Sequence, residues 1–169
     1  MQRVSGDQAG NPAAGAASSP PGDRHVLFVT VDQWPARLLG IASHPTVETP
    51  TLDQIARTGT RFTNAYAECP ICIPARRSMM TGTSPRGHGD RVFQPALPMP
   101  EGMPTLARSF RDAGYQTAAI GKLHVYPQRD RIGFEEVLLA EEGRGHLGGM
   151  DDYELFLTDK GQPGQQFIH

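Results

Sequence analysis

Residues 103–124 read MPTLARSFRDAGYQTAAIGKLH. Leu106 and Phe110 stand at i, i+4 spacing, which predicts an amphipathic helix over 103–114 with Gly114 as its C-terminal stop. YQTAAIGK (115–122) follows as a strand that runs into a loop at Gly121. Upstream, HVLFVTV (25–31) is a short apolar, β-branched run ending at Asp32, the pattern of a fully buried parallel strand. TPTLDQIARTG (49–59) predicts a helix with Thr51 as N-cap, Leu52, Ile55 and Ala56 at helical spacing, and Gly59 as its stop. TRFTNAYAE (60–68) resumes strand-like alternation, and PARRSMMTG predicts a helix with Pro74 in its first turn, closing at Gly82. MDDYELFLTDKG (150–161) predicts a further helix. Strands alternating with helices point to an α/β fold, a mostly parallel sheet flanked by helices. Such sheets bind ligands beyond their strand C-termini, so Asp32 and Gly121–Lys122–Leu123–His124 are expected on one rim.

The 169 residues, 38% of them hydrophobic, carry a net charge of −2, and this length suits one domain. No block of like charge marks a nucleic-acid partner. No run reaches the roughly 18 apolar residues of a membrane helix. Residues 1–23, rich in Gly, Ala, Ser and Pro, are expected to form a disordered lead-in to an ordered portion over 24–169. They contain no continuous apolar segment of a secretory signal, and a cytoplasmic location is expected.

Both cysteines fall in ECPICIPARRSMMTG (68–82). Two cysteines make no disulfide framework, and a zinc knuckle needs a second ligand pair. A CxxC redox pair or two small buried thiols are the readings composition leaves open. The text after Cys72 adds more. Cys72-Ile73-Pro74-Ala75-Arg76, continued by Thr81-Gly82, resembles the signature of type I sulfatases in the alkaline phosphatase superfamily. VLFVTVDQ (26–33), TPTLDQIARTGTRFTNAY (49–66), the closing Gly121-Lys122-Leu123-His124 and IGFEEVLL (132–139) resemble further segments of that family, in its order and spacing. The resemblance spans roughly residues 25–160, and it is the order of four motifs that makes it specific.

The resemblance implies a sulfuric ester hydrolase, acting on a small-molecule sulfate ester, whose nucleophile is formylglycine made from Cys72 by a formylglycine-generating enzyme. Pro74 places residue 72 near a helix N-terminus, where free N–H groups and the dipole suit an anionic sulfate. An aldehyde there hydrates to a geminal diol: one hydroxyl attacks sulfur, and the second returns the carbon to aldehyde as sulfate leaves. Asp32 is similar to the family's first metal-ligating aspartate. Gln33 stands where many members have a second one, an Asp-Gln variant like choline sulfatases and phosphonate monoester hydrolases. The alternative for Gln33 is a polar residue at a strand end. Arg76 is expected to hydrogen-bond the formylglycine oxygens, Lys122 to contact the sulfate as a point charge, and His124 to orient or deprotonate the diol. Arg77 reads as a helix-surface arginine. His88 and the other histidines read as structural, Asp151–Asp152 as helix-dipole partners, and Cys69 as a small structural residue.

The implied cofactor is a divalent metal, Ca²⁺ first, with Mn²⁺ or Mg²⁺ as alternatives. A Ca²⁺ site takes about six to eight oxygens, more than Asp32, Gln33 and residue 72 provide. The chain therefore reads as the N-terminal part of a sulfatase with half an active site and little activity alone. The rival functions are a phosphonate or phosphate monoester hydrolase using the same aldehyde, a non-catalytic remnant, and a CxxC redox protein.

Overall fold

The computed structural model describes residues 24–141 and 149–164. The expectation for 1–23 lies outside them. Among the described residues seven regular elements follow in order: α1 (Pro50–Thr58), α2 (Cys72–Thr81), α3 (Pro85–His88), α4 (Leu106–Asp112), β1 (Ala118–Gly121), β2 (Glu136–Leu139) and α5 (Asp152–Asp159), with two 3-10 turns ahead of α1 at Ala36–Leu38 and Gly40–Ala42.

The strand read at 115–122 is β1, and it pairs in parallel with β2, Ala118 opposite Glu136 and Gly121 opposite Leu139. Parallel neighbours need a crossover. Here residues 122–135 make it through turns: the Asp130 N–H donates to the Pro127 carbonyl at 2.8 Å and the Phe134 N–H to that of Arg131 at 2.9 Å. Met80, Leu123, Val125, Ile132 and Leu139 form the buried cluster around this pair, and Met79, Met99, Phe134 and Val137 pack against it. One cluster thus joins the end of α2, the two strands and the loop after β1, the loop that carries Lys122 and His124.

Three expectations are corrected. Residues 25–31 form no strand among the described residues: they run exposed beside β1, lining with it a groove of about 470 Å³. A buried parallel strand needs ladder partners, and the residues 25–31 have none here. Residues 60–68 are likewise irregular, with Phe62 and Tyr66 exposed. Alternation alone sets no strand where no neighbour lies alongside. Arg77, read as a surface residue, is buried: it donates to the carbonyls of Pro98 (3.0 Å) and Leu97 and pairs with fully buried Asp90 at 3.5 Å.

Helix starts also shift. α1 opens at Pro50 in its first position, and Thr49 stands before it, its hydroxyl donating to Asp53 Oδ1 at 2.8 Å. α4 begins at Leu106, because Thr105 accepts the Arg108 N–H and caps it. Asp151 caps α5 by accepting the Glu154 N–H at 2.8 Å, and Asp152 in the first turn binds Arg129 with both oxygens at 2.7 Å. The dipole reading of this acidic pair holds, with an ion pair added to it.

Candidate active site

α2 has ten residues and starts at Cys72 itself, with Ile71 in extended conformation before it. Pro74 falls within the first turn, where its missing N–H costs no helical bond. Gly82 at φ +65° lets the chain leave in the left-handed region. The thiol of Cys72 is half-buried and free. Lys122 Nζ approaches its sulfur to 3.9 Å.

The same ammonium hydrogen-bonds Asp32 Oδ2, and Arg76 Nη2 lies 3.5 Å from that oxygen. Arg76 Nη1 meanwhile donates to the Lys122 carbonyl. One guanidinium therefore ties the end of the first segment to the loop after β1. The Lys122 hydrogen bond, with the charges of Lys122 and Arg76, holds the Asp32 carboxyl below the ordinary carboxylate range, against the opposing effect of burial. Asp32, Cys72, Arg76 and Lys122 come from three distant stretches and meet at one rim, as their motifs predict.

Gln33 and His124 stand differently. Gln33 is exposed at φ +53°, next to Asp32 in the chain. His124 is buried at φ +56°, its ring 3.8 Å from a Glu141 carboxylate oxygen, and it lines a small hollow with Arg76 and Tyr126. Sequence reasoning missed Glu141, which belongs to none of the motifs. Cys69, half-buried and free, donates its thiol to the Arg91 carbonyl at 3.6 Å.

Asp32 and Gln33 offer hard oxygens of the kind a divalent cation takes, and the Asp32 carboxylate already carries the ammonium of Lys122 and the guanidinium of Arg76 against it. They fit in kind and not in number. Among the described residues no group of three or more His, Cys, Asp or Glu side chains gathers to hold a metal ion.

A parallel strand pair with helices packed on it, bearing its polar cluster at the strand end, is a partial α/β fold of the alkaline phosphatase type. A solved structure shares it, the crystal structure of Ps i-CgsB in complex with k-i-k-neocarrahexaose: TM-score 0.55 and 22% identity over 78% of this chain and 32% of that one. The Sulfatase family model matches residues 24–167, and the chain belongs to the sulfatase family. The arylsulfatase of Clostridium perfringens is 38% identical over 147 residues, 80% of this chain and 30% of its own. The choline-sulfatase of Rhizobium meliloti is 34% identical over 132 residues, 78% and 25% respectively. The chain thus spans less than a third of the length of these relatives. Family membership implies a divalent metal and formylglycine in general.

Proposed function

We propose that this chain supplies the nucleophile-bearing part of a formylglycine-dependent hydrolase of small sulfate esters. The observation that supports it is the convergence of Asp32, Arg76 and Lys122 on the N-terminus of α2, where Cys72 opens the helix. Formylglycine made from Cys72 by a formylglycine-generating enzyme would supply a hydrated aldehyde, one hydroxyl to attack sulfur and one to release sulfate. Lys122, within reach of residue 72, offsets the negative charge of a sulfate oxygen. Arg76 holds the Lys122 peptide and Asp32 in place. The α2 N-terminus adds unpaired N–H groups toward the anion. Asp32 and Gln33 would hold the cation, proposed as Ca²⁺ from their oxygen donors, with Mn²⁺ or Mg²⁺ as alternatives. These residues supply fewer oxygens than such a site takes, so little or no turnover is assigned to them alone.

Mass spectrometry of the tryptic peptide 62–76, from the protein co-expressed with a formylglycine-generating enzyme, tests this. Residue 72 is expected to carry an aldehyde in place of its thiol, and Cys72→Ala to leave no carbonyl for a hydrazide probe to label. An unmodified thiol in that co-expressed protein would overturn the reading.

A further inference from the structure

Glu141 stands two residues past the end of β2 and is fully buried. Its Oε1 accepts the backbone N–H of Leu123 at 2.7 Å and of His124 at 2.9 Å, and its Oε2 lies 3.2 Å from the same His124 N–H. The second oxygen also faces His124 Nε2 at 3.8 Å. The Glu141 N–H in turn donates to Asp151 Oδ2 at 2.6 Å, and Asp151 is the buried cap of α5. A buried carboxylate is stable only when hydrogen bonds replace its lost hydration. Two amides that do so here belong to the turn carrying Lys122 and His124. That turn is strained: His124 sits in the left-handed region, which a non-glycine residue keeps only when its surroundings enforce it. On the opposite side Arg76 holds the Lys122 carbonyl. The peptide unit after Lys122 is thereby gripped at both its polar atoms, its oxygen by Arg76 and its N–H by Glu141.

We propose that Glu141 is a positioning residue, whose carboxylate fixes the Lys122–His124 turn and so aims the Lys122 ammonium at residue 72. It touches no reacting atom, and its effect on turnover rests on the sulfatase reading above. A glutamine of the same reach keeps a carbonyl that accepts both amides, whereas alanine removes the acceptor. That contrast separates anchoring from mere filling of space.

The test uses the full protein as its gene encodes it, matured with a formylglycine-generating enzyme. Wild type, Glu141→Gln and Glu141→Ala are compared by hydrogen–deuterium exchange of the peptide spanning 119–126 and by turnover of p-nitrophenyl sulfate. In Glu141→Ala the amides of Leu123 and His124 are expected to exchange about tenfold faster or more, with kcat down about tenfold and KM changed less than about threefold. Glu141→Gln is expected to recover most of both. Where the alanine variant does not fold, Glu141→Asp, whose shorter reach gives up one amide, takes its place with the same expectation of faster exchange. Unchanged exchange in the alanine variant, or a glutamine variant no better than alanine, overturns the proposal. If wild type shows neither aldehyde nor turnover, the sulfatase reading falls instead. The exchange comparison needs no activity and still decides whether Glu141 holds the turn.

Discussion

The imidazole of His88 is held between two partners that set its tautomer. Nδ1 accepts the Asp90 N–H at 3.2 Å, which leaves the proton on Nε2, 2.9 Å from Ser78 Oγ. Burial lowers its pKa from the usual 6.5, and the Arg77 charge adds to this, against the opposing pull of Asp90 and Glu68. The unfolded chain therefore binds the proton more tightly. The stability this site contributes is complete above the unfolded value and declines as pH falls through 6.5 toward the lower folded value. The urea midpoint of wild type is expected to drop between about pH 7.5 and pH 5.5, and His88→Gln to shrink that drop. A full-sized drop in the variant would place the proton uptake elsewhere. His88 also shows what one position reveals and conceals. The sequence reads it as structural, but its position on α3 and its place between Ser78 and Asp90 depend on α2 and α3 folding back on each other. Arg77 was misread for the same reason. Its partners, Asp90, Leu97 and Pro98, lie outside any local period, so adjacent arginines 76 and 77 look alike until the helix is packed.

Among the elements, α4 with β1 is the unit that the sequence states best, and its hidden part is a joint. Thr105 caps α4 through its acceptor, while its hydroxyl proton goes to the buried Ile132 carbonyl in the crossover. Gly133 lies so close that a Cβ there meets the Arg108 nitrogen at 2.8 Å, and its φ of +109° suits no L side chain. The crossover turn is thus pressed onto the helix N-terminus through Thr105. Replacing Thr105 by alanine removes the cap and strands the Ile132 carbonyl, an expected loss of about 2 kcal/mol in urea unfolding that Thr105→Ser largely restores. Equal losses in the two variants would show that the methyl, and not the hydroxyl, carries the joint. Leu106 and Phe110 marked the helix by their spacing, yet Ala107 is its buried residue and the pair lines the groove beside β1. Periodicity finds a helix without saying which neighbour covers its face. The motif residues were legible for a different reason: order and spacing carried them, and Asp32, Arg76 and Lys122 meet accordingly.

Across the molecule the apolar surface is unevenly covered. Val26, Leu27, Phe28, Val29 and Val31 stand exposed beside a two-stranded sheet that also presents Ile120 and Leu138 to solvent. Contiguous apolar surface of this kind associates or binds apolar probes. The purified 169-residue chain is expected to brighten Nile red and to elute above monomer mass by light scattering. Leu27→Asp combined with Ile120→Asp is expected to lower both signals, and a monomeric wild type dark to the dye would contradict the exposure described. The strand read at 25–31 failed at this scale, since its burial requires neighbours that the described residues do not provide. What fastens that segment is the carboxylate at its end, gripped by one ammonium and one guanidinium. Coulombic attraction between groups in contact, well inside the screening length of about 8 Å at physiological concentration, weakens only in part as electrolyte is added. A hydrocarbon core gains under the same conditions when the added ion is a strongly excluded one such as sulfate. Brine therefore acts on the two halves of this architecture in opposite senses: it slackens the charged clasp on the leading segment a little while tightening the cluster behind it.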